Sequence, residues 1–240
     1  MPANTDHPCF IQPTNSETLI WRYMDFTKFV SLLETNSLYF CQADFFDDPF
    51  EGSVPKGNII NRSQIYDGIP EEQRDHAISQ MIWQRKNMRS HTYMNCWHMN
   101  EHESAAMWKL YAATNEAVAI RTKYSSLVAA LDENVFVGQV RYIDYETSTI
   151  PENNSFWPFM FKRMSFSHER EVRAVIQDLR QDMDVSGGTT IFINYEELIE
   201  KVYVAPDAPS WYFNLVEQVV NRYGHSAQVV QSSLEEQPVY

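Results

Sequence analysis

The stretch Glu169-Arg170-Glu171-Val172-Arg173-Ala174-Val175-Ile176 constrains this chain more than any other. Its apolar positions alternate with period two, which predicts a strand from Glu169 onward. Arg170, Val172, Ala174 and Ile176 fall on one face, apolar after its first residue and suited to a core. Glu169, Glu171, Arg173 and Val175 fall on the other. Carboxylates about 7 Å apart on one strand face repel unless a cation answers them. Arg173 is one candidate; Lys162, Arg163 and His168, just upstream, are others. Such crowding can raise one carboxylate pKa and ready it for acid–base work. The same pattern also suits an ion-pair network on a solvated sheet face, and both readings stay open.

The rest of the chain sets the bounds. Its 240 residues allow one large domain or two small ones. Aromatics are plentiful (14 Phe, 13 Tyr, 6 Trp) against 7 glycines, which argues for a sizeable core and against glycine-rich folds. A formal charge of −13 argues against a general nucleic-acid coat, because backbone binding needs a basic surface. A local basic pocket remains compatible with it. Cys9, Cys41 and Cys96 lie far apart and form neither a disulfide framework nor a zinc pattern. The start of the chain lacks a basic, apolar secretion signal, and no run approaches the roughly 20 apolar residues of a membrane span. A reduced, cytoplasmic protein with no membrane partner is expected.

Read in order, residues 1–17 are expected to form a loose arm. Leu19, Trp21 and Tyr23 alternate with Ile20, Arg22 and Met24 in a first strand, and Asp25 can cap a helix striped by Phe26, Phe29, Val30, Leu32 and Leu33. Asn36 is a left-handed stop, and Ser37–Phe40 a second strand. The acidic, aromatic loop Ala43–Gly52 reads as a rigid turn, with Asp48 and Glu51 kept as site candidates. Pro70 to Ser90 reads as a packing helix that buries Ala77, Ile78, Met81, Ile82 and Met88, with Glu71 and Glu72 at its dipole-positive end. After a strand from Thr92 to Met99, Asn100 and Glu103 fit a capping box. Ser104, Trp108 and Tyr111 then share one helical face, which suits either a ligand pocket or an ordinary core. His98 and His102 straddle that helix start, so their spacing does not make a metal site. Strands follow at Ala117–Thr122 and Val135–Tyr145, with a helix between them at Tyr124–Leu131. A helix from Trp157 to Met164 feeds the charged strand. Beyond a Gly187-Gly188 turn come two more strands, a helix opened by Pro209 and Ser210, and a last strand. No linker or repeat interrupts this order. The expectation is a single α+β domain over residues 18–232, with a mixed, largely antiparallel sheet flanked by helices and loose tails at 1–17 and 233–240.

The set Arg22-Tyr23, Leu38-Tyr39-Phe40, Asp48-Pro49-Phe50-Glu51, Cys96-Trp97, Glu103-Ser104 with Met107-Trp108 and Tyr111, Lys162-Arg163, and His168-Glu169-x-Glu171-x-Arg173 resembles a bacterial and phage-associated family catalogued as a domain of unknown function. Val202-Tyr203-Val204-x-Pro206 fits it too, and the resemblance runs from about Leu19 to Ser232. More distantly, Arg22, Ser104 and Glu169-x-Glu171, in that order, resemble the arginine–serine–glutamate type of ADP-ribosyltransferase. The serine here opens a helix instead of lying in a Ser-Thr-Ser strand, and the Glu-x-Glu lies inside a strand instead of before one. That resemblance implies an ADP-ribosyltransferase-like fold, NAD as substrate, and a defence or toxin setting. It implies that Arg22 binds the pyrophosphate, that an aromatic stacks on nicotinamide, and that Glu171 stabilises an electron-poor ribose while Glu169 activates the acceptor. Tyr23, Glu51, Ser104, Trp108, Tyr111, Arg163 and Arg173 complete the expected ligand-binding set, with no resident metal.

Three classes of function compete at this stage. One is NAD cleavage or ADP-ribosyl transfer to a protein or nucleic-acid acceptor. A second is Mg²⁺-dependent nucleotide or phosphodiester chemistry on Glu169 and Glu171, with Lys162 or Arg163 on phosphate. The third is a non-catalytic module that binds a small anion, nucleotide or partner.

Overall fold

A computed structural model describes residues 2–61, 68–112, 114–179 and 187–238. The sheet is built on β3 (Thr92–Met99), which pairs antiparallel with β8 (Glu171–Gln177) from Thr92↔Gln177 to His98↔Glu171. The opposite edge of β3 is shared. β1 (Leu19–Asp25) pairs through Ile20↔Met99 and Trp21↔His98, while β2 (Ser37–Gln42) pairs through Cys41↔Met94 and Gln42↔Tyr93. Asn95, Cys96 and Trp97 therefore face a gap where β1 and β2 diverge.

Outward from β1, the sheet continues through β4 (Ala117–Lys123) and β10 (Lys201–Val204), both antiparallel, to β11 (Gln228–Gln231), which is parallel to β10. Outward from β2 it ends in β9 (Gly188–Phe192), and β5 (Phe136–Gln139) covers the far edge of β8. The fold is α+β, with a mixed, mostly antiparallel nine-stranded sheet among the described residues.

The two faces of the sheet are unlike. Tyr93 and Trp97 of β3, Val172 and Ala174 of β8, and Ile20 and Met24 of β1 belong to the larger core. That core is closed by α1 (Phe26–Thr35), α5 (Tyr124–Ala130) and α7 (Ser210–Arg222). α1 contributes Phe29, Leu32 and Leu33, each worth about 1.5–3 kcal/mol when fully buried, and stops at Asn36 with φ +49°. The other face carries two smaller clusters. One gathers Met94, Val175, Phe156 and Phe159; the other gathers Trp21, Tyr23, Met107 and Trp108 beneath α4 (Ala105–Tyr111). Glu171, Arg173, Cys96 and His98 lie between them by strand alternation. Short helices α2 (Lys56–Ile60) and α6 (Tyr195–Leu198) complete the set, with α3 (Glu71–Ser90) against the Met94 side.

Several expectations need correction. β8 begins at Glu171, not Glu169. Met164–Glu169 is a 3₁₀ turn, and Arg170 takes φ +41°. The helix expected over Trp157–Met164 is a 3₁₀ turn at Trp157–Phe159 followed by β7 (Phe161–Arg163); Pro158, without an N–H, suits the turn. The long strand expected over Val135–Tyr145 is broken, because β6 (Arg141–Ile143) leaves the main sheet to pair parallel with β7. α3 is present, but of its expected stripe only Met88 is fully buried, and Trp83 stands 67% exposed; the side chain of Glu71 lies outside the described residues. Residues 2–11, expected to be loose, run along α5 and β5 through bridges such as Ile11↔Gln139, burying Cys9 and Phe10. Gly138 permits this, since a Cβ there would lie 2.7 Å from the Phe10 backbone.

Candidate active site

The strand end at Glu171 is the centre of a buried five-residue charge cluster. Arg173, opposite Cys96 and fully buried, forks onto two carboxylates at once. Its Nε and Nη2 donate to Glu171 at 2.8 and 3.0 Å, and its Nη1 and Nη2 donate to Glu51 at 2.9 and 2.7 Å. Nη1 also donates to the Phe159 carbonyl at 2.6 Å. Planar, bidentate pairs of this kind are the strong form of the ion pair. Lys162, from β7, adds the second cation. Its Nζ lies 2.5 Å from Glu169, 3.4 Å from Glu171 and 3.6 Å from Glu51.

Three carboxylates face two cations, and the structure separates the acids by environment. Burial alone would push the Glu171 carboxyl up, but Arg173 and then Lys162 outweigh it and hold it down at about 2. Glu169 goes the other way: burial, then the Glu171 charge, raise it, and Lys162 compensates only in part. The two neighbouring carboxyls are thus shifted in opposite directions, Glu171 down and Glu169 up. The left-handed turn at Arg170 brings this about. It lets Glu169 leave a 3₁₀ helix and Glu171 enter a strand with both side chains directed to Lys162.

The rim is aromatic and basic. Tyr111, 46% exposed at the end of α4, donates a long hydrogen bond of 3.5 Å to Glu169. The hydroxyl of Tyr142 accepts from the Glu171 amide at 2.8 Å. Arg22 spans the gap between β1 and β2 and donates to the Cys96 carbonyl at 2.8 Å. Burial, followed by the charge of the Glu171 carboxylate, pushes the Cys96 thiol pKa well up. Cys96 therefore accepts from Arg22 and stands opposite Arg173 in the sheet. Desolvation lowers the Arg22 pKa, and among the described residues it forms no ion pair.

Glu51, Glu169, Glu171, Arg173, Tyr111 and Arg22 thus come together, and four other expected residues do not join them. Ser104, not Asn100, is the N-cap of α4: its hydroxyl accepts from the Met107 amide at 3.4 Å, so it is spent on the helix. Glu103 does not reach back to Asn100; it accepts from Trp108 Nε1 at 3.0 Å and from the hydroxyl of Ser232. That leaves Trp108 buried edge-on against Tyr23, with ring centroids 5.0 Å apart, and the Tyr23 hydroxyl accepts from the Ser104 amide. Arg163 alternates with Lys162 along β7 and points away, pairing with Asp48 at 2.8 Å over the Phe50 ring. Lys162, Cys96 and Tyr142 are the residues that the expected ligand set omits. Strand alternation through Lys162-Arg163 would have separated the two cations had residues 161–163 been read as a strand.

His98 is buried beside the cluster, and burial lowers its pKa. Its Nδ1 lies 2.6 Å from the Glu169 carbonyl. Among the described residues no group of three or more His, Cys, Asp and Glu is arranged to hold a metal ion. None of the described helices is long and apolar enough to cross a membrane.

No protein-family model matches the chain, and no curated protein matches it. The motif resemblance to the bacterial and phage-associated family therefore rests on the residues quoted above. Among solved structures, the chain is similar to one titled Thermus sp. 2.9 DarT in complex with carba-NAD+. Identity is 8%, 91% of this chain and 97% of that chain are covered, and the TM-score is 0.42. An overlap this loose carries neither a site nor an activity across.

Proposed function

We propose that this chain cleaves NAD or transfers its ADP-ribosyl group, in the gap between β1 and β2 at the end of β8. The observation that supports this reading most is Arg22. It is a half-buried guanidinium that forms no ion pair among the described residues and donates to the carbonyl of Cys96, which lies opposite Arg173 in the sheet. A pyrophosphate offers the charged, bidentate partner that this arginine lacks here.

In this reading Arg22 holds the pyrophosphate and Tyr111 flanks the nicotinamide ribose. The bond between ribose C1′ and the nicotinamide nitrogen breaks, and nicotinamide leaves as a neutral molecule. The positive charge left on the ribose is met by Glu171, held anionic by Arg173 and Lys162, so the stabilising charge stands ready before the reaction. Glu169, with its raised pKa, takes the proton of water or of the acceptor group that adds to C1′. Arg173, Lys162 and Glu51 act as positioning residues. The Mg²⁺ reading fits less well, because the carboxylate oxygens a metal would need already accept from Arg173 and Lys162.

One observation favours a different reading, in which the cluster only holds the fold. Glu51, Glu171 and Arg173 are almost fully buried and mutually satisfied. Nicotinamide release by the purified protein separates the two readings. Release that disappears in Glu169→Gln, with the fold retained, supports the enzyme. The absence of both release and any NAD-induced rise in melting temperature leaves a structural network.

A further inference from the structure

A cavity of about 210 Å³ lies between α3 and the loop 152–159. Its walls are apolar and polarisable: Met81 and Met88 from α3, and Phe159 and Pro158 from the loop. Thioethers and an aromatic ring favour flat, polarisable ligands. The volume is below the 300–1,000 Å³ usual for drug-sized ligands, so the occupant is of one- or two-ring size.

The polar part of the lining sets the ligand's charge. Arg85 and Glu152 pair with each other at 3.0 Å, and Asn58 also donates to Glu152, so neither charge asks for a counter-ion. Among the other polar residues of the lining, Ser155 donates to Gln177, and the side-chain oxygens of Asn153 and Asn154 accept from Trp157 Nε1 and the Phe156 amide. Gln84, at the exposed rim, adds a further side-chain amide. Such a lining suits a neutral heterocycle with an amide-like edge.

The same walls hold Arg173. Phe159 lines the cavity and accepts from Arg173 Nη1 through its carbonyl. Gly52 lines it too, and follows Glu51, whose carboxylate forks onto Arg173. Gly52 and the Phe159 ring are in tight contact: a Cβ on Gly52, at φ +71°, would lie 2.5 Å from that ring. A ligand that shifts Phe159 therefore shifts a hydrogen-bond acceptor of the residue that keeps Glu171 ionised.

We propose that this cavity binds a neutral planar heterocycle with an amide-like edge, and that its occupancy is coupled to the Arg173–Glu171 pair. The effect on turnover rests on the NAD reading above; the binding and the coupling do not. Two sources share this chemistry: the nicotinamide released by the reaction, and a nucleobase.

The test uses full-length protein labelled with [methyl-¹³C]methionine, titrated separately with nicotinamide and with adenine into the millimolar range. No NAD is present, so failure here leaves the NAD reading intact, and failure of the NAD reading leaves this result interpretable. The expected result is a saturable shift of the Met81 and Met88 methyl signals with one probe, while Met24 and Met107 stay fixed. The Arg173 Nε–H signal should follow the same curve, since coupling through a shared group is reciprocal. Gln84→Ala, on the exposed rim, should weaken binding several-fold without altering the fold, and Met81→Trp should abolish it. A nicotinamide response identifies the leaving group as the occupant; an adenine response identifies a nucleobase. The proposal is overturned if neither probe moves the Met81 and Met88 signals, if their shifts persist unchanged in Gln84→Ala, or if the Arg173 signal does not respond.

Discussion

Replacing Arg173 by Leu tests whether the cluster is as tightly balanced as its geometry implies. The change removes two bidentate ion pairs, to Glu171 and Glu51, and the hydrogen bond to the Phe159 carbonyl. Three buried carboxylates are then left with Lys162 alone. Breaking one buried pair in this way costs about 3–5 kcal/mol. Here two pairs break, but the stranded acids can take up protons, which caps the cost, so about 4 kcal/mol at pH 7 is expected. That is a large share of the roughly 5–15 kcal/mol that holds a typical domain folded.

The pH dependence gives the argument its sign. In the wild type, Glu171 has a folded pKa lowered to about 2. Its stabilisation is present above its unfolded value, near 4.5, and is lost as pH falls toward 2. In the variant the uncompensated acids have raised folded values. Their penalty is full at pH 7 and fades as pH falls through those values. The gap between the two proteins should therefore narrow from about 4 kcal/mol at pH 7 to under about 1 kcal/mol near pH 2. Urea unfolding followed by tryptophan fluorescence at several pH values measures it. A gap below about 1 kcal/mol at pH 7, or one that does not change with pH, would refute the reasoning.

Glu171→Gln should abolish nicotinamide release and also destabilise the protein, by about 2–3 kcal/mol. The reason is that the new NH₂ must face Arg173 or Lys162; a melting curve unchanged from wild type would contradict the buried geometry. Glu169→Gln should cut turnover with a far smaller stability loss, and the wild-type rate should show a limb rising with pH through a value above that of an ordinary glutamate. A flat profile across the acid range would remove Glu169 as the proton acceptor. Arg22→Met should leave the fold within about 1 kcal/mol of wild type, since it deletes a half-buried cation that forms no ion pair among the described residues. The same change should abolish the thermal shift produced by ADP-ribose, and a persisting shift would place the anion site elsewhere.

Much of this was legible in the sequence, and the failures share a cause. The period-two run identified β8, and the acids of an aromatic loop singled out Glu51, which reaches Arg173 from far away in the chain. Asn36 was a readable stop because a left-handed residue after an apolar helix is a local signal. Arg170 was not, since nothing in an alternating pattern marks one residue with positive φ. The site depends on that turn. The direction of Lys162 was hidden for a related reason: an aromatic run around Pro158 suggested a helix, and only as a strand do Lys162 and Arg163 separate. Ser104 and Trp108 were misplaced because a helix face does not say whether its polar atoms are already used locally. Here the cap and Glu103 consume them. Residues 2–11 looked loose because the groove that receives them, opened by Gly138, belongs to distant strands.

The most direct test of the account is nicotinamide release from NAD by the purified wild-type protein, compared side by side with Glu169→Gln and Arg22→Met. The account predicts steady release by the wild type. It predicts loss of turnover with NAD binding retained in Glu169→Gln, and loss of binding itself in Arg22→Met. A wild-type protein that neither releases nicotinamide nor gains melting temperature with NAD would contradict it, and would leave the five buried charges as a device of the fold.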